Sequence, residues 1–384
     1  MHSRAKYFFV FAIFLISILF FYVGWQLLLP ITQNFKLELI SWGILLSMFL
    51  SILSMPLFFW LRKGGKEHGF LSHFFMQFAY FSMAATSFLF TYTLIRHLIR
   101  FLMYLGNVHS AILWGPKSSF LIFSLTTVSI AAGSFFARKI PNVKELSIPF
   151  DSLPFGLKNF KIIQISDLHI GTAMNKEFVK KVVQRTNAEK PQLIVLTGDI
   201  IDGAISTNST IIEELGRLSA ECGVFYVPGN HEYYWDIENC LSALRQQKNI
   251  QILLNEWKNI TWGASNFTLA GVTDPAGENF SPEHKCDPLR AISGADPKSF
   301  KILLAHQPKV ALVAAELGYD LQISGHTHGG QFFPWTIVVK LFHPVDRGLE
   351  KIKKMWVYVS CGTGSWGPWI RLGAPAEITS IRLV

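Results

Sequence analysis

Hydrophobic and polar positions follow two different patterns along the chain. In the first 140 residues apolar side chains come in long blocks, at about 7–30, 39–61, 70–95 and 118–137, and no Asp, Glu, Lys or Arg interrupts them. A hydrocarbon core of about 30 Å needs roughly 20 such residues at helical rise. Backbone groups in lipid must also be satisfied within the segment, so each block is predicted as a helix. The expectation is an α-helical membrane domain over 1–140 with four transmembrane helices. Spans free of ionisable groups argue against a transport pathway, which usually places such groups inside the membrane. Residues 141–157, with Pro141, Pro149 and Pro154, read as a linker. After them come short apolar runs rich in β-branched residues, at 161–166, 193–198, 223–229, 250–255, 267–272, 301–306, 321–325, 356–361 and 378–384. They have strand length and end in polar or Gly-containing turns. Helical patterns over Lys176–Asn187 and Thr210–Cys222 fall between some of them. This alternation predicts one α/β domain over 158–384.

Charge sharpens this division. The formal net charge is +9, which taken alone suggests an anionic partner. The whole surplus lies in residues 1–150, with 12 Lys and Arg against 3 acidic residues, whereas residues 151–384 carry 23 of each. The second half therefore offers no net positive field for a nucleic acid, and no nucleic-acid partner is expected. The surplus bears on topology instead. Arg4, Lys6, Arg62, Lys63, Lys66, Arg138, Lys139 and Lys144 would flank one side, against Lys36, Arg96, Arg100 and Lys117 on the other. The richer side faces the cytoplasm. This gives a multi-pass protein of an inner or cell membrane, with the lipid bilayer as partner and the 158–384 domain in the cytoplasm. There the four cysteines would be reduced.

Candidate chemistry gathers at the ends of the predicted strands. Asp167 and His169 follow the first, Asp199 and Asp202 the second, and Asn230, His231 and Glu232 the third; His306, His326 and His328 close two later ones. In an α/β sheet, groups beyond the carboxyl ends of strands can converge. If these stretches are extended, Asp167 and His169 share a face, as do His326 and His328, because side chains alternate with a period of two. Imidazole, carboxylate and amide ligands suit Mn, Fe, Zn or Co, and so many ligands suit two ions rather than one. Singly, an Asp-x-His or Gly-Asn pair reads equally as turn chemistry; the ordered set of five blocks does not.

The series DLH, GDIIDG, GNHE, AHQP and GHTHGG resembles the calcineurin-like metallophosphoesterases over about residues 158–384. The tail from Val359 resembles that of a membrane-attached bacterial branch of the family. The resemblance implies a four-layer αββα sandwich of two mixed sheets around a two-metal centre. It implies Asp167, His169 and His328 as ligands of one ion, and Asn230, His306 and His326 as ligands of the second. Asp199 would bridge the two ions, His231 would be a catalytic non-ligand near the scissile phosphate, and Asp202 would orient its neighbours. The expected activity is metal-dependent hydrolysis of a phosphodiester or diphosphate. A membrane-associated substrate, such as a lipid-linked nucleotide diphosphate or a phospholipid, would account for the spans. A broad phosphodiesterase acting on soluble nucleotides, or a non-catalytic scaffold or phospho-ligand sensor, are the competing expectations. The apolar run over 331–345, with Phe332, Phe333, Trp335, Val338, Leu341 and Phe342, reads either as a lipid-docking surface or as a buried cover on the sheet.

Overall fold

The computed structural model describes residues 2–31, 35–62, 70–108, 113, 115–171 and 175–384, without the side chains of 2–12, 57–62, 70–73 and 207. Lys63 and Lys66, used above for orientation, fall outside the described residues, as do the side chains of Arg4, Lys6 and Arg62. Two compact units emerge: the described residues up to Phe135, and Phe136–Val384.

The first unit holds helices α1 (His2–Leu27), α2 (Phe35–Arg62), α3 (Phe70–Leu105) and α4 (Pro116–Ala137). Among the described residues, three helices are long and apolar enough to cross a membrane: Phe35–Pro56, Phe74–Leu105 and Pro116–Ala137. The described apolar part of α1 is the shorter Ile13–Leu27. Large side chains such as Phe35, Leu39 and Val128 point outward, while Phe20, Leu45, Met48 and Ala85 pack inward. Hydroxyls bond across the bundle, Ser51 to Ser82 at 3.1 Å and Tyr92 to Ser129 at 2.6 Å. This inversion of apolar exposure is what a lipid solvent favours.

Helix α3 corrects the sequence reading, which ended it at residue 95. It continues through Arg96 and Arg100, so an ionisable pair lies within a candidate span. Four residues apart, the two share one helix face. Arg96 is buried and donates to the Gln26 carbonyl at 3.1 Å and to Ser118 Oγ at 3.2 Å. Arg100 Nε donates to the Leu113 carbonyl at 2.7 Å. The charges stay inside because the helix-end oxygens of their neighbours solvate them.

The second unit is built on two six-stranded mixed sheets. The first sheet comprises β1 (Asn142–Ile148), β2 (Lys161–Ile165), β4 (Leu193–Thr197), β6 (Val224–Val227), β7 (Ile250–Ile252) and β14 (Glu377–Leu383), in the order β1-β14-β2-β4-β6-β7. The second comprises β8 (Glu256–Trp262), β9 (Ser265–Gly271), β10 (Phe300–Leu304), β11 (Leu321–Ser324), β12 (Gly348–Ile352) and β13 (Met355–Val359), in the order β12-β13-β11-β10-β9-β8. A small parallel pair, β3 (Ile170–Gly171) and β5 (Ile201–Asp202), lies beyond the ends of β2 and β4. Strands β2, β4, β6 and β7 run parallel, as do β9, β10, β11 and β13.

Alternation along each strand separates the layers. Ile162, Leu193, Val195, Phe225 and Val227 face Phe267, Leu269, Ile302, Leu304 and Ile323 between the sheets. The intervening Ile163, Ile194 and Leu196 meet α5 (Lys176–Ala188), α6 (Ile205–Leu215) and α8 (Ile237–Arg245) on the outside. A third cluster, including Leu303, Ala311 and Val357, covers the outer face of the second sheet. Burial on both faces is why these strands read as continuous apolar runs.

Two further expectations are corrected. Residues 142–148, read within the linker, form β1 and pair in parallel with β14. Helix α6 begins five residues earlier than its predicted start at Thr210, and it stops at Leu215, where Gly216 follows. All four cysteines are unpaired.

Candidate metal centre

Both sheets deliver side chains to one place. The segments leaving β2, β4 and β6 bring Asp167, His169, Asp199, Asn230 and His231; those leaving β10 and β11 bring His306, His326 and His328. The backbone does this differently from the extended geometry expected above. Asp167, His169, Asp199, His326 and His328 all have positive φ, between 50° and 75°. Strands β2, β4 and β11 therefore end in left-handed kinks that turn these side chains inward, a conformation non-Gly residues hold only where the surroundings enforce it. Glycines make room. A Cβ on Gly229 would stand 2.2 Å from Asp199 Oδ1, and one on Gly325 would stand 2.2 Å from Asp167 Oδ2.

Ligand atoms of Asp167, His169 and His328 lie within 4.8 Å of one another, as do those of Asp199, His306 and His326; His169, Asp199 and His231 form a third such group. His169 Nε2 and His328 Nε2 are 3.0 Å apart, and His328 Nε2 is 3.4 Å from Asp167 Oδ1. In the other group His306 Nε2 lies 3.1 Å from Asp199 Oδ2 and 3.3 Å from His326 Nδ1. Asp199 reaches both clusters, since its Oδ2 also lies 3.9 Å from His169 Nε2 and from His231 Nε2. Asp167, His169, Asp199, His231, His306, His326 and His328 are thus brought together.

The hydrogen bonds test whether these groups fit cations. His169 Nδ1 lies 3.2 Å from Asp202 Oδ2, and His306 Nδ1 lies 2.8 Å from the Thr197 carbonyl. Each ring donates on that side, which leaves Nε2 as the atom that faces Asp199 and can meet a cation, the usual arrangement of metal-ligating histidines. Asn230 Oδ1 is buried without a hydrogen-bond partner, an arrangement that costs free energy unless something electropositive meets it. Burial and the charge on Arg371 push the His328 pKa well down, and burial and His306 do the same for His326. Neutral imidazoles are the ligating form. Burial opposes the charge on Asp199, but His306, His231 and His169 outweigh it and hold the carboxyl well below its ordinary value. The donor set fits divalent cations.

Asp202 organises the rim. Its Oδ1 accepts from His231 Nδ1 at 2.9 Å and from Trp235 Nε1 at 2.6 Å, while Oδ2 takes His169. Burial disfavours a charged His231, yet Asp202 and Asp199 outweigh it and raise its pKa to about 9. Trp366 and Tyr234 stand beside its ring, with centroids 5.6 and 5.4 Å away.

Two supporting residues were missed in the sequence. Glu232 lies in a quoted motif, but nothing there signalled its task. Its carboxylate accepts from four backbone N–H groups: Ile200 at 2.7 Å and Ile201 at 3.0 Å on Oε1, Gly229 at 2.8 Å and Asp199 at 3.1 Å on Oε2. Arg371, in the tail, is buried. Its guanidinium donates to the carbonyls of Cys361 and Gly364, to Ser365 Oγ, and to His328 Nδ1 at 3.1 Å. A net of donors to fixed oxygens gives a buried cation its solvation.

Comparison with known proteins agrees with this geometry. The sequence model of the calcineurin-like phosphoesterase family matches residues 160–330. An uncharacterized metallophosphoesterase of Campylobacter jejuni is 35% identical over 272 residues, covering 68% of this chain and 70% of that protein. The chain belongs to the calcineurin-like phosphoesterase family. Members are metal-dependent phosphoric ester hydrolases, so the chain is an enzyme of that class, and the His and Asp groups above are its candidate metal-binding groups. An uncharacterized metallophosphoesterase of Aquifex aeolicus is 32% identical over 67% of this chain and 97% of its own length. Similar calcineurin-like chains also occur in animals. A Bos taurus transmembrane protein with metallophosphoesterase domain is 35% identical over 68% of this chain, although the match covers only 62% of that protein. The family match ends at residue 330, before Arg371 and β14.

Proposed function

We propose that the chain is a membrane-anchored dimetal phosphoesterase that cleaves a phosphodiester or diphosphate bond in a membrane-associated substrate. Asp167, His169 and His328 would hold one divalent ion, Asn230, His306 and His326 the other, and Asp199 is placed to serve both. The observation that carries this is the convergence of Asp167, His169, Asp199, His306, His326 and His328 from two sheets, together with a buried, unpartnered oxygen on Asn230.

Divalent ions there would supply an acidified water as nucleophile and offset the charge that builds on the phosphoryl oxygens. The protein's share is positioning and proton transfer. Asp202 fixes the rings of His169 and His231 through their Nδ1 atoms. That leaves His231 Nε2 as the atom able to give a proton to the departing oxygen. The two carboxylates that raise its pKa keep it charged for that task. Arg371, 3.1 Å from His328 Nδ1, helps to fix the orientation of that ring.

The membrane reading takes α1–α4 as four spans, with the hydrolase unit in the cytoplasm. The substrate reading is supported by apolar surface at the rim. Tyr234, whose ring adjoins His231, is 45% exposed, and Phe280 beside it is 42% exposed. No excess of cations accompanies them in residues 151–384. A lipid-linked nucleotide diphosphate or a phospholipid meets both features.

Purified full-length protein loaded with Mn provides the test. Asp199→Ala lowers turnover of a chromogenic phosphodiester by more than about 100-fold, beyond what losing an outer hydrogen-bond partner costs; wild-type turnover by this variant sinks the assignment. Cleavage of soluble nucleotides with no action on lipid diphosphates or phospholipids in micelles would replace the substrate reading with that of a soluble-nucleotide phosphodiesterase.

A further inference from the structure

Segment 331–345 has a buried base and an exposed crown. Phe332 is 3% exposed, and Gln331 ties the base down: its side chain donates to the carbonyls of Trp366 and Pro368 and accepts from Trp366 N. The Phe333 and Leu372 backbones add two more bonds to the same loop. On this base stand a short helix, Trp335–Val338, and a following turn, Val339–Leu341. Trp335 is 43% exposed, Ile337 59%, Leu341 80% and Phe342 74%. Ile337 and Leu341 are one helical step of four apart and share a face. A clamped base holds these side chains in water, where apolar surface is costly to keep.

Three features bear on what covers the crown. Between Leu321 and Val345 the chain has no acidic residue, while Lys340 lies on the crown itself. Large apolar side chains with a cation and no carboxylate match the headgroup boundary of a bilayer rather than a carboxylate-rich protein surface. Among the described residues three helices are also able to cross a membrane, which would keep a bilayer within reach. Finally, the crown adjoins the metal centre, since the ring of His343 lies 5.4 Å from that of His326.

We infer that Trp335–Phe342 is a bilayer-penetrating rim that seats the mouth of the metal centre at headgroup level, so that phosphoesters enter from the lipid side. The inference rests on the membrane-anchored reading of the chain. It adds a contact that the spans alone do not require.

Spin labels on L341C and F342C, and on K298C as an exposed control, test it in full-length protein with Cys222 and Cys286 replaced by Ser. The protein is reconstituted into phosphatidylcholine vesicles containing phosphatidylglycerol as the minority lipid. Labels at 341 and 342 are expected to relax more with molecular oxygen than with a water-soluble nickel chelate, and the control label the reverse. Labels as wetted as the control overturn the inference; labels shielded from both reagents overturn it in favour of a protein partner. The double variant I337E/L341E is expected to lower the ratio of vesicle-borne to soluble phosphodiester turnover by about tenfold or more, since burial of each such side chain contributes at least that factor. A ratio that does not move counts against the rim. Immersed labels without turnover of any vesicle-borne phosphoester would leave the rim standing and overturn the substrate reading alone.

Discussion

Replacing Glu232 by Gln isolates the scaffold of the site from its chemistry. The side chain keeps its shape, but one carboxylate oxygen becomes an amide nitrogen. Whichever way the amide turns, two of the four N–H groups lose their acceptor: Ile200 and Ile201, or Gly229 and Asp199. A buried donor left unsatisfied costs about 1–3 kcal/mol, giving roughly 2–6 kcal/mol for the pair. Burial and the nearby Asp199 push the Glu232 pKa up, so removing the charge returns part of this, and the net loss is expected at about 2–4 kcal/mol. For a unit of this size each kcal/mol lowers Tm by about 2–4 °C. Thermal unfolding in detergent with excess chelator should therefore show the E232Q transition about 4–16 °C below wild type. The chelator keeps ion binding from masking the change. A transition within about 2 °C of wild type would refute the view that this carboxylate clamps the β4 and β6 turns together.

Other perturbations separate the remaining parts. Asp202→Asn takes an acceptor from His169, and metal affinity, read by competition with a fluorescent chelator, should fall about 10–100-fold. The same change removes a charge that raises the His231 pKa. The alkaline limb of the kcat/KM profile should then move to lower pH, and an unmoved limb would detach His231 from it. Gly229→Ala places a methyl group 2.2 Å from Asp199 Oδ1 and should abolish ion loading measured by elemental analysis while leaving far-UV circular dichroism intact. Arg371→Lys has fewer donors for the Cys361, Gly364 and Ser365 oxygens and should destabilise the hydrolase unit by about 2–4 kcal/mol in urea titration.

What the sequence disclosed follows from how each element is buried. Strands such as β4 and β10, covered on both faces, show as unbroken apolar runs. Strands β1, β8 and β12 lie at sheet edges with mostly half-buried or exposed residues, so their polar composition hid them. The end of α3 was misplaced because Arg96 looks like a boundary in the sequence, and only its three-dimensional partners make it internal. The candidate ligands were legible as strand-end motifs, but the reason they converge was not. Period-two alternation assumes extended backbone, whereas the chain uses left-handed kinks that require particular neighbours. Glu232 and Arg371 escaped notice because their work is to satisfy backbone groups from distant segments: Arg371 Nη1 reaches the His328 carbonyl at 3.4 Å.

The order of the first sheet has a consequence for how the protein is made. Strand β14 lies between β1 and β2, pairing with both. On the ribosome, α1–α4 and the strands carrying Asp167 to Asn230 emerge long before their sheet can be completed. An N-terminal half leaving the ribosome first would hold four of the seven proposed ligands beside an open sheet edge, which invites pairing with other chains. Closure waits for residues 377–383, after the His306, His326 and His328 segments have joined. The sheet order thus makes β14, translated after the other strands of both sheets, the step that closes the catalytic unit, and loss of that strand alone should leave an unfinished enzyme.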